Sequence, residues 1–331
     1  VKLQNEMQNR QRESISTGEA TNICTTADGH EVELLANINL LSDVHSARNA
    51  GTSGVGLYRS EYIFLVRNDF ASEEEQYLIY SRLFSEMDPV FFRTMDIGGD
   101  KLLASADIDG EKNPFMGMRG IRFAMGNKKI FATQLRALLQ AGAGRDLKIL
   151  FPLISGVEEF LRTKDFTFEV MKELDRDEID YNDSPEFGAM IELPSAAATA
   201  GMIARHADFL SIGTNDLVQY LLGVDRTNER VADIYNVYHP SVLHTVKAIA
   251  DAAREESCPL SVCGDAAGEE NMIRFFMGVG IDSFSVDARM IHPVRSVIQS
   301  VRTEEVEEQA ARMLEAETVD EVVGITEKLL H

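Results

Sequence analysis

The 331-residue chain carries 54 Asp+Glu against 32 Lys+Arg, a formal charge of −22 at pH 7. That balance excludes a nonspecific nucleic-acid binder and argues against an anionic membrane surface as partner, since both require a basic face. The composition is 44% apolar, no apolar run approaches the ~18 residues of a membrane span, and the start (VKLQNEMQNRQRES) is too polar for a secretory leader, so the chain reads as a soluble globular protein without membrane insertion.

Three cysteines, Cys24, Cys258 and Cys263, form neither an even framework nor a CxxC pair. They read as free thiols in a reducing compartment, and the expected location is cytoplasmic. The first residue is Val rather than Met, which points to a fragment of a longer gene product or a processed chain.

In chain order, residues 1–17 suit a weakly amphipathic helix ending near Thr17-Gly18. Eight short apolar runs follow: VELLANI (32–38), GVGLYRSE (54–61), PVFFRTMDI (89–97), KILFPLI (148–154), EFGAMIEL (186–193), FLSIGTNDL (209–217), PLSVCGDAA (259–267) and SFSVDA (283–288). Near-continuous apolar runs are expected of parallel strands buried on both faces. Between them, SDVHSARNA, EEEQYLIYSRLFSEM, KIFATQLRALLQAG, VEEFLRTKDFTFEVMKEL, AAATAGMIARHA, PSVLHTVKAIADAAREE and EENMIRFFMGVG space apolar residues at helical intervals, and the chain after SFSVDA can supply one more helix.

Eight βα units describe an α/β fold of the TIM (β/α)8 barrel type; an open doubly wound sheet would have fewer strands and a GxGxxG turn after the first. The predicted organisation is a linker helix and connector over 1–25, a barrel over 26–300 and a helical tail over 301–331, whose role is packing or solubility. Two intervals, 98–128 and 223–240, are too long for a simple loop and read as insertions over the catalytic mouth.

Barrel chemistry sits at the C-terminal ends of the strands, and these ends are polar: Tyr58-Arg59-Ser60-Glu61, Arg93-Thr94-Met95-Asp96, Glu192, Thr214-Asn215-Asp216 and Cys263-Gly264-Asp265. Arg59 and Arg93 lie inside apolar runs, where a guanidinium needs a partner. Either they pair structurally with Glu61 or Asp96, or they await a carboxylate or phosphate bound bidentately. Arg119, Arg122 and Arg226, with Lys101, lie in or beside the insertions and could complete an anion pocket. Glu192 and Asp216 end neighbouring strands and repel unless neutralised. With no Cys/His set beside them, the cation implied is Mg²⁺ or Mn²⁺, although either carboxylate could instead cap its following helix. Cys263, near a helix start and cationic groups, is expected to favour its thiolate and to exchange protons with a ligand, or else to be an inert core filler.

The ordered blocks LYRSEYIFL, RTMDIGGDK, NPFMGMRGIR, ILFPLISGVEE, IELPSAAATA, FLSIGTNDLVQYLLGVDR, HPSVL and VCGDAAG resemble the phosphoenolpyruvate-binding C-terminal domain of Enzyme I of the bacterial phosphotransferase system, from about residue 26 to the end. The resemblance implies a transferase in which Arg59, Arg93, Arg119 and Arg226 hold the phosphate and carboxylate of phosphoenolpyruvate. Asn215 would contact the phosphate, and Glu192 and Asp216 would hold Mg²⁺. Cys263 would be the general acid that protonates the enolate carbon as pyruvate forms. It further implies a homodimer and a phosphoryl-accepting histidine on a separate domain; no histidine here has that family's T-S-H setting, so the receiver is absent from this chain. The rival readings are the corresponding domain of pyruvate phosphate dikinase or phosphoenolpyruvate synthase, a non-catalytic phosphoenolpyruvate-sensing module, and a Mg²⁺-dependent lyase on the same barrel.

Overall fold

The computed structural model describes residues 21–99 and 111–327; the expected helix over 1–17, Lys101 and the last four residues of the tail lie outside these. Nine strands form one sheet: β1 (Ile23–Thr25), β2 (Glu31–Ile38), β3 (Val55–Arg59), β4 (Val90–Arg93), β5 (Leu147–Phe151), β6 (Glu186–Ile191), β7 (Phe209–Gly213), β8 (Leu260–Cys263) and β9 (Ser283–Asp287). From β2 to β9 every neighbouring pair is parallel, and β9 pairs back onto β2, so eight parallel strands close into the expected (β/α)8 barrel. All eight apolar runs hold strands, and all but β2 end earlier than the run itself. The run continues because the first turn after a strand is buried too: Met95 and Ile97, beyond β4, are fully enclosed.

β1 is an addition. Ile23–Thr25 runs antiparallel to Glu31–Glu33 through a turn at Asp28-Gly29, where Gly29 has φ +90°, a conformation glycine adopts without cost. Three residues carry too short a pattern to register as a strand.

The helices are α1 (Leu41–Asn49), α2 (Glu61–Arg67), α3 (Glu73–Glu86), α4 (Ile121–Gly126), α5 (Lys128–Ala141), α6 (Val157–Arg176), α7 (Pro194–Ala198), α8 (Ala200–Ala204), α9 (Thr214–Leu222), α10 (Pro240–Glu255), α11 (Glu270–Gly278), α12 (Ile291–Ser300), α13 (Thr303–Glu315) and α14 (Val319–Glu327). The predicted helix over AAATAGMIARHA is two short helices broken at Thr199, whose hydroxyl donates to the Ser195 carbonyl at 2.9 Å. Short α2 hides in the apolar string EYIFLVR, which has no clear period. Among the described residues no helix is long and apolar enough to cross a membrane.

Inside the barrel, Leu57, Leu150, Met190, Phe209 and Cys263 form a separate apolar cluster. Gly188 makes room for it: a Cβ there would sit 2.2 Å from the Phe209 ring. This plug fills the lower lumen and becomes the floor of the cavity above it. In the tail, α13 buries Val306, Ala310 and Met313. A Cβ on Gly278 of α11 would lie 2.1 Å from the Val306 carbonyl oxygen, so the glycine permits close contact and α13 is a packed cover for the barrel.

Candidate active site

A cavity of about 150 Å³ opens at the C-terminal mouth over the plug. Arg59, Arg93, Glu192, Asn215, Asp216, Arg226 and Cys263 all line it; of the other cations the sequence selected, Arg119 and Arg122 do not, and Lys101 lies outside the described residues. Arg59 and Arg93 are register partners at the last positions of β3 and β4, which brings both residues to the same level of the mouth. Cys263 is in register with Gly213 across β7 and β8. A Cβ at Gly213 would approach Glu192 Oε2 to 2.6 Å, so the glycine leaves space for that carboxylate.

The four arginines divide. Arg93 is buried and donates to Glu61, with Asp96 at 3.5 Å. Burial opposes its charge, but Glu61 and Asp96 outweigh that and push its pKa up. Its Nε has no hydrogen-bond partner. Arg119 is 0% exposed, and all five of its N–H groups are used. Nε and Nη2 donate to Asp96 at 3.1 and 3.2 Å, Nη1 and Nη2 to Asp216 at 2.8 and 3.0 Å, and Nη1 also to the Tyr220 hydroxyl at 3.3 Å. Here too burial is outweighed by Asp96 and Asp216, and the pKa rises. Arg119 therefore stands behind the cavity wall as a clamp on two carboxylates, not as an open donor. Arg59 has no ion pair among the described residues, and Arg226 keeps a buried Nη1 without a partner while its backbone N–H donates to Gln219 Oε1 at 3.1 Å. Arg122 donates to the Met116 carbonyl at 3.3 Å and does not line the cavity.

Glu192 is 1% exposed and accepts the Leu153 N–H at 2.6 Å; Leu153 adopts φ +56°, strained for a branched side chain and consistent with that backbone being held toward the carboxylate. Burial first, then repulsion from Asp216 and Asp96, lifts the Glu192 pKa to about 8. The charged form of Glu192 is thus disfavoured in this site. Among the described residues no three His, Cys, Asp or Glu side chains form a ready metal cage, so Glu192 and Asp216 could hold a divalent cation only together with oxygens from elsewhere. Asn215 is fixed at the start of α9: its Oδ1 accepts the Asp265 N–H at 2.9 Å, and its Nδ2 donates to Asp265 Oδ2 at 3.2 Å.

Cys263 corrects an expectation. Its thiol is 2% exposed, accepts from Ser211 Oγ at 3.5 Å and donates to the Ile212 carbonyl at 3.5 Å. Burial pushes its pKa up, more than Ser211 and Arg93 pull it down, so the proton-bearing form is favoured rather than the thiolate. Cys24 and Cys258 are buried and free, as core fillers would be.

Sequence reasoning missed Tyr62, Leu57 and Met190 in the lining and Tyr220 behind it. The apolar pair carries no chemical signal. Tyr220 was legible in principle: it lies four residues after Asp216 and so shares a helix face with it.

The profile of the family described as PEP-utilising enzyme, PEP-binding domain, matches residues 14–303. The phosphoenolpyruvate-protein phosphotransferase of Listeria monocytogenes is 42% identical over 303 residues, 91% of this chain and 53% of that protein. The enzyme of the same name from Bacillus subtilis is 40% identical over 303 residues, again covering 91% of this chain and 53% of that protein. The chain spans about half the length of the curated relatives it matches. Among solved structures, an aldolase/citrate lyase family protein from Burkholderia cenocepacia superposes with a TM-score of 0.49 at 14% identity, covering 86% of this chain and 96% of that one. On the profile match, which takes in every strand of the barrel and every residue of the cavity, the chain belongs to the family of PEP-utilising enzymes as their PEP-binding domain.

Proposed function

We propose that the chain is the phosphoenolpyruvate-binding half of a phosphoenolpyruvate-protein phosphotransferase, which passes the phosphoryl group to a histidine on a separate domain and releases pyruvate. The carrying observation is that Arg59, Arg93 and Arg226, the last two each keeping a nitrogen without a hydrogen-bond partner, line one cavity of about 150 Å³ together with two acids and a thiol whose protonated form is favoured. Arg59 and Arg226 suit the phosphate and carboxylate of the substrate as bidentate donors. Arg93 reaches it with its remaining N–H, and Asn215 offers an amide to a phosphate oxygen. Arg119 acts through Asp216.

Glu192 and Asp216 fit Mg²⁺. Burial, and after it repulsion from Asp216 and Asp96, holds the Glu192 carboxyl near pKa 8, and a cation would offset both; Mg²⁺ commonly takes one or two carboxylates plus substrate oxygens. When bound, Mg²⁺ would withdraw charge from the phosphate and from the developing enolate. As the bridging bond breaks, its electron pair stays on oxygen as the enolate. Cys263 Sγ–H then delivers its proton to the methylene carbon, giving pyruvate and a thiolate that solvent reprotonates. A buried thiol with a raised pKa suits that donor role. The homodimer and a cytoplasmic location belong to the same proposal.

The test is phosphotransfer from labelled phosphoenolpyruvate with and without an added phosphohistidine domain. Label reaching that histidine only when this chain and Mg²⁺ are both present is expected. Substrate binding with no transfer would point instead to a sensing module. Cys263→Ala should keep substrate binding and slow pyruvate release by about 10²–10⁴-fold; undiminished release would remove the acid role.

A further inference from the structure

The strongest unexplained feature lies one turn behind Asp216. Asp216 and Tyr220 are four residues apart on α9 and share a face. Both reach the same nitrogen of Arg119, Nη1: Asp216 Oδ1 at 2.8 Å and the Tyr220 hydroxyl at 3.3 Å. A guanidinium can only donate, so the Tyr220 oxygen must accept, and its own proton must go elsewhere. It goes to the Phe115 carbonyl. That hydrogen bond fixes the hydroxyl lone pairs toward Arg119 and ties Phe115, in the described part of the 98–128 insertion, to α9. The Phe115 ring in turn covers the guanidinium, its centroid 5.5 Å from Arg119 Cζ.

We infer that Tyr220 is a positioning residue, a latch that locks Arg119 onto Asp216 and so sets the orientation of the carboxylate offered to a cation. Its consequence for metal binding rests on the function proposed above, whereas the latch itself does not. The neighbouring Gln219 does the corresponding work for the other insertion, its Oε1 holding the Arg226 backbone N–H at 3.1 Å. The second turn of α9 therefore fastens both long insertions to the strand end that carries Asn215 and Asp216.

Tyr220→Phe keeps the ring and removes only the hydroxyl, leaving one Arg119 N–H unsatisfied in a group with no exposure. Side-chain ¹⁵N NMR of the metal-free chain reads this directly. Hydrogen exchange of the Arg119 guanidinium should accelerate at least tenfold, while that of Arg93, which Tyr220 does not touch, stays unchanged. Equal acceleration at both arginines would mean general loosening and overturn the inference, as would no change at either. A second arm titrates Mn²⁺ in the presence of phosphoenolpyruvate and expects about fivefold weaker binding in Tyr220→Phe. Faster Arg119 exchange with unaltered Mn²⁺ affinity would overturn the positioning role. A wild-type chain that binds no Mn²⁺ would sink the metal reading instead, and the exchange data would still decide the latch.

Discussion

Two pairs of arginines at one barrel mouth show how burial sorts identical side chains. Arg93 and Arg119 are at most 5% exposed and ion-paired, to Glu61 and Asp96 in one case and to Asp96 and Asp216 in the other. Arg59 and Arg226 are partly exposed, line the cavity and have no ion pair among the described residues. A fully buried guanidinium persists only with its charge and hydrogen bonds matched inside the protein. A partly wet one can leave donors open, with water standing in until a ligand arrives. The first pair is thus spent on the architecture of the mouth, and the second is the pair the proposed function assigns to the ligand. Under the proposed function the strongly acidic chain would meet an anionic ligand through a local potential, while part of its bulk charge lies on outer helices such as α13.

The sharpest way to break this contrast is to remove the most enclosed arginine. Arg119→Met would remove the guanidinium that bridges Asp96 and Asp216, and breaking a buried ion pair from one side costs about 3–5 kcal/mol. Urea unfolding should show that loss, with the slope of the transition unchanged. Arg59→Met, by contrast, should leave stability within about 0.5 kcal/mol. Equal losses would mean that Arg59 is structural as well.

The next effect belongs to affinity. Arg59→Lys and Arg226→Lys keep the charge but lose the planar fork, and each should weaken phosphoenolpyruvate binding by about 1.5–3 kcal/mol, the range for hydrogen bonds to charged groups. Calorimetry on each variant checks this. Undiminished affinity for either would return that arginine to the structural class.

How much of this was legible follows from what each signal depends on. Strand positions were readable because residues such as those of Leu147–Phe151 are buried on both faces, and burial writes a continuous apolar run. The strand-end acids and arginines were readable because a charge at the end of such a run stands out. The division among the arginines was not, since the partners of Arg119 are 23 and 97 residues away and no local pattern encodes them. For Cys263 the local reading had the wrong sign. Proximity to a helix start in sequence suggested a thiolate, but the side chain points into the plug, where desolvation prevails.

The smallest predicted effect, per unit of the variable, tests the buried acid Glu192. Glu192 in the folded chain has its pKa raised to about 8, against about 4.3 for an unfolded glutamate. Below the lower value both states hold the proton, and the group has no effect on the balance. Between the two, the folded state retains a proton the unfolded chain has released, so stability falls as pH rises, by up to about 1.4 kcal/mol per pH unit, and levels off above the folded value. The measurement is the difference between wild type and Glu192→Gln in urea unfolding at several pH values without metal, which cancels the other titrating groups. The same proton opposes a cation, so below pH 8 Mg²⁺ must displace it, and its affinity should climb up to tenfold per pH unit with release approaching one proton. Saturating Mg²⁺ should then flatten the stability slope. A slope that Mg²⁺ does not touch would mean that Glu192 is an acid the fold merely tolerates, and that its buried carboxyl near Arg93 and Arg119 serves no metal.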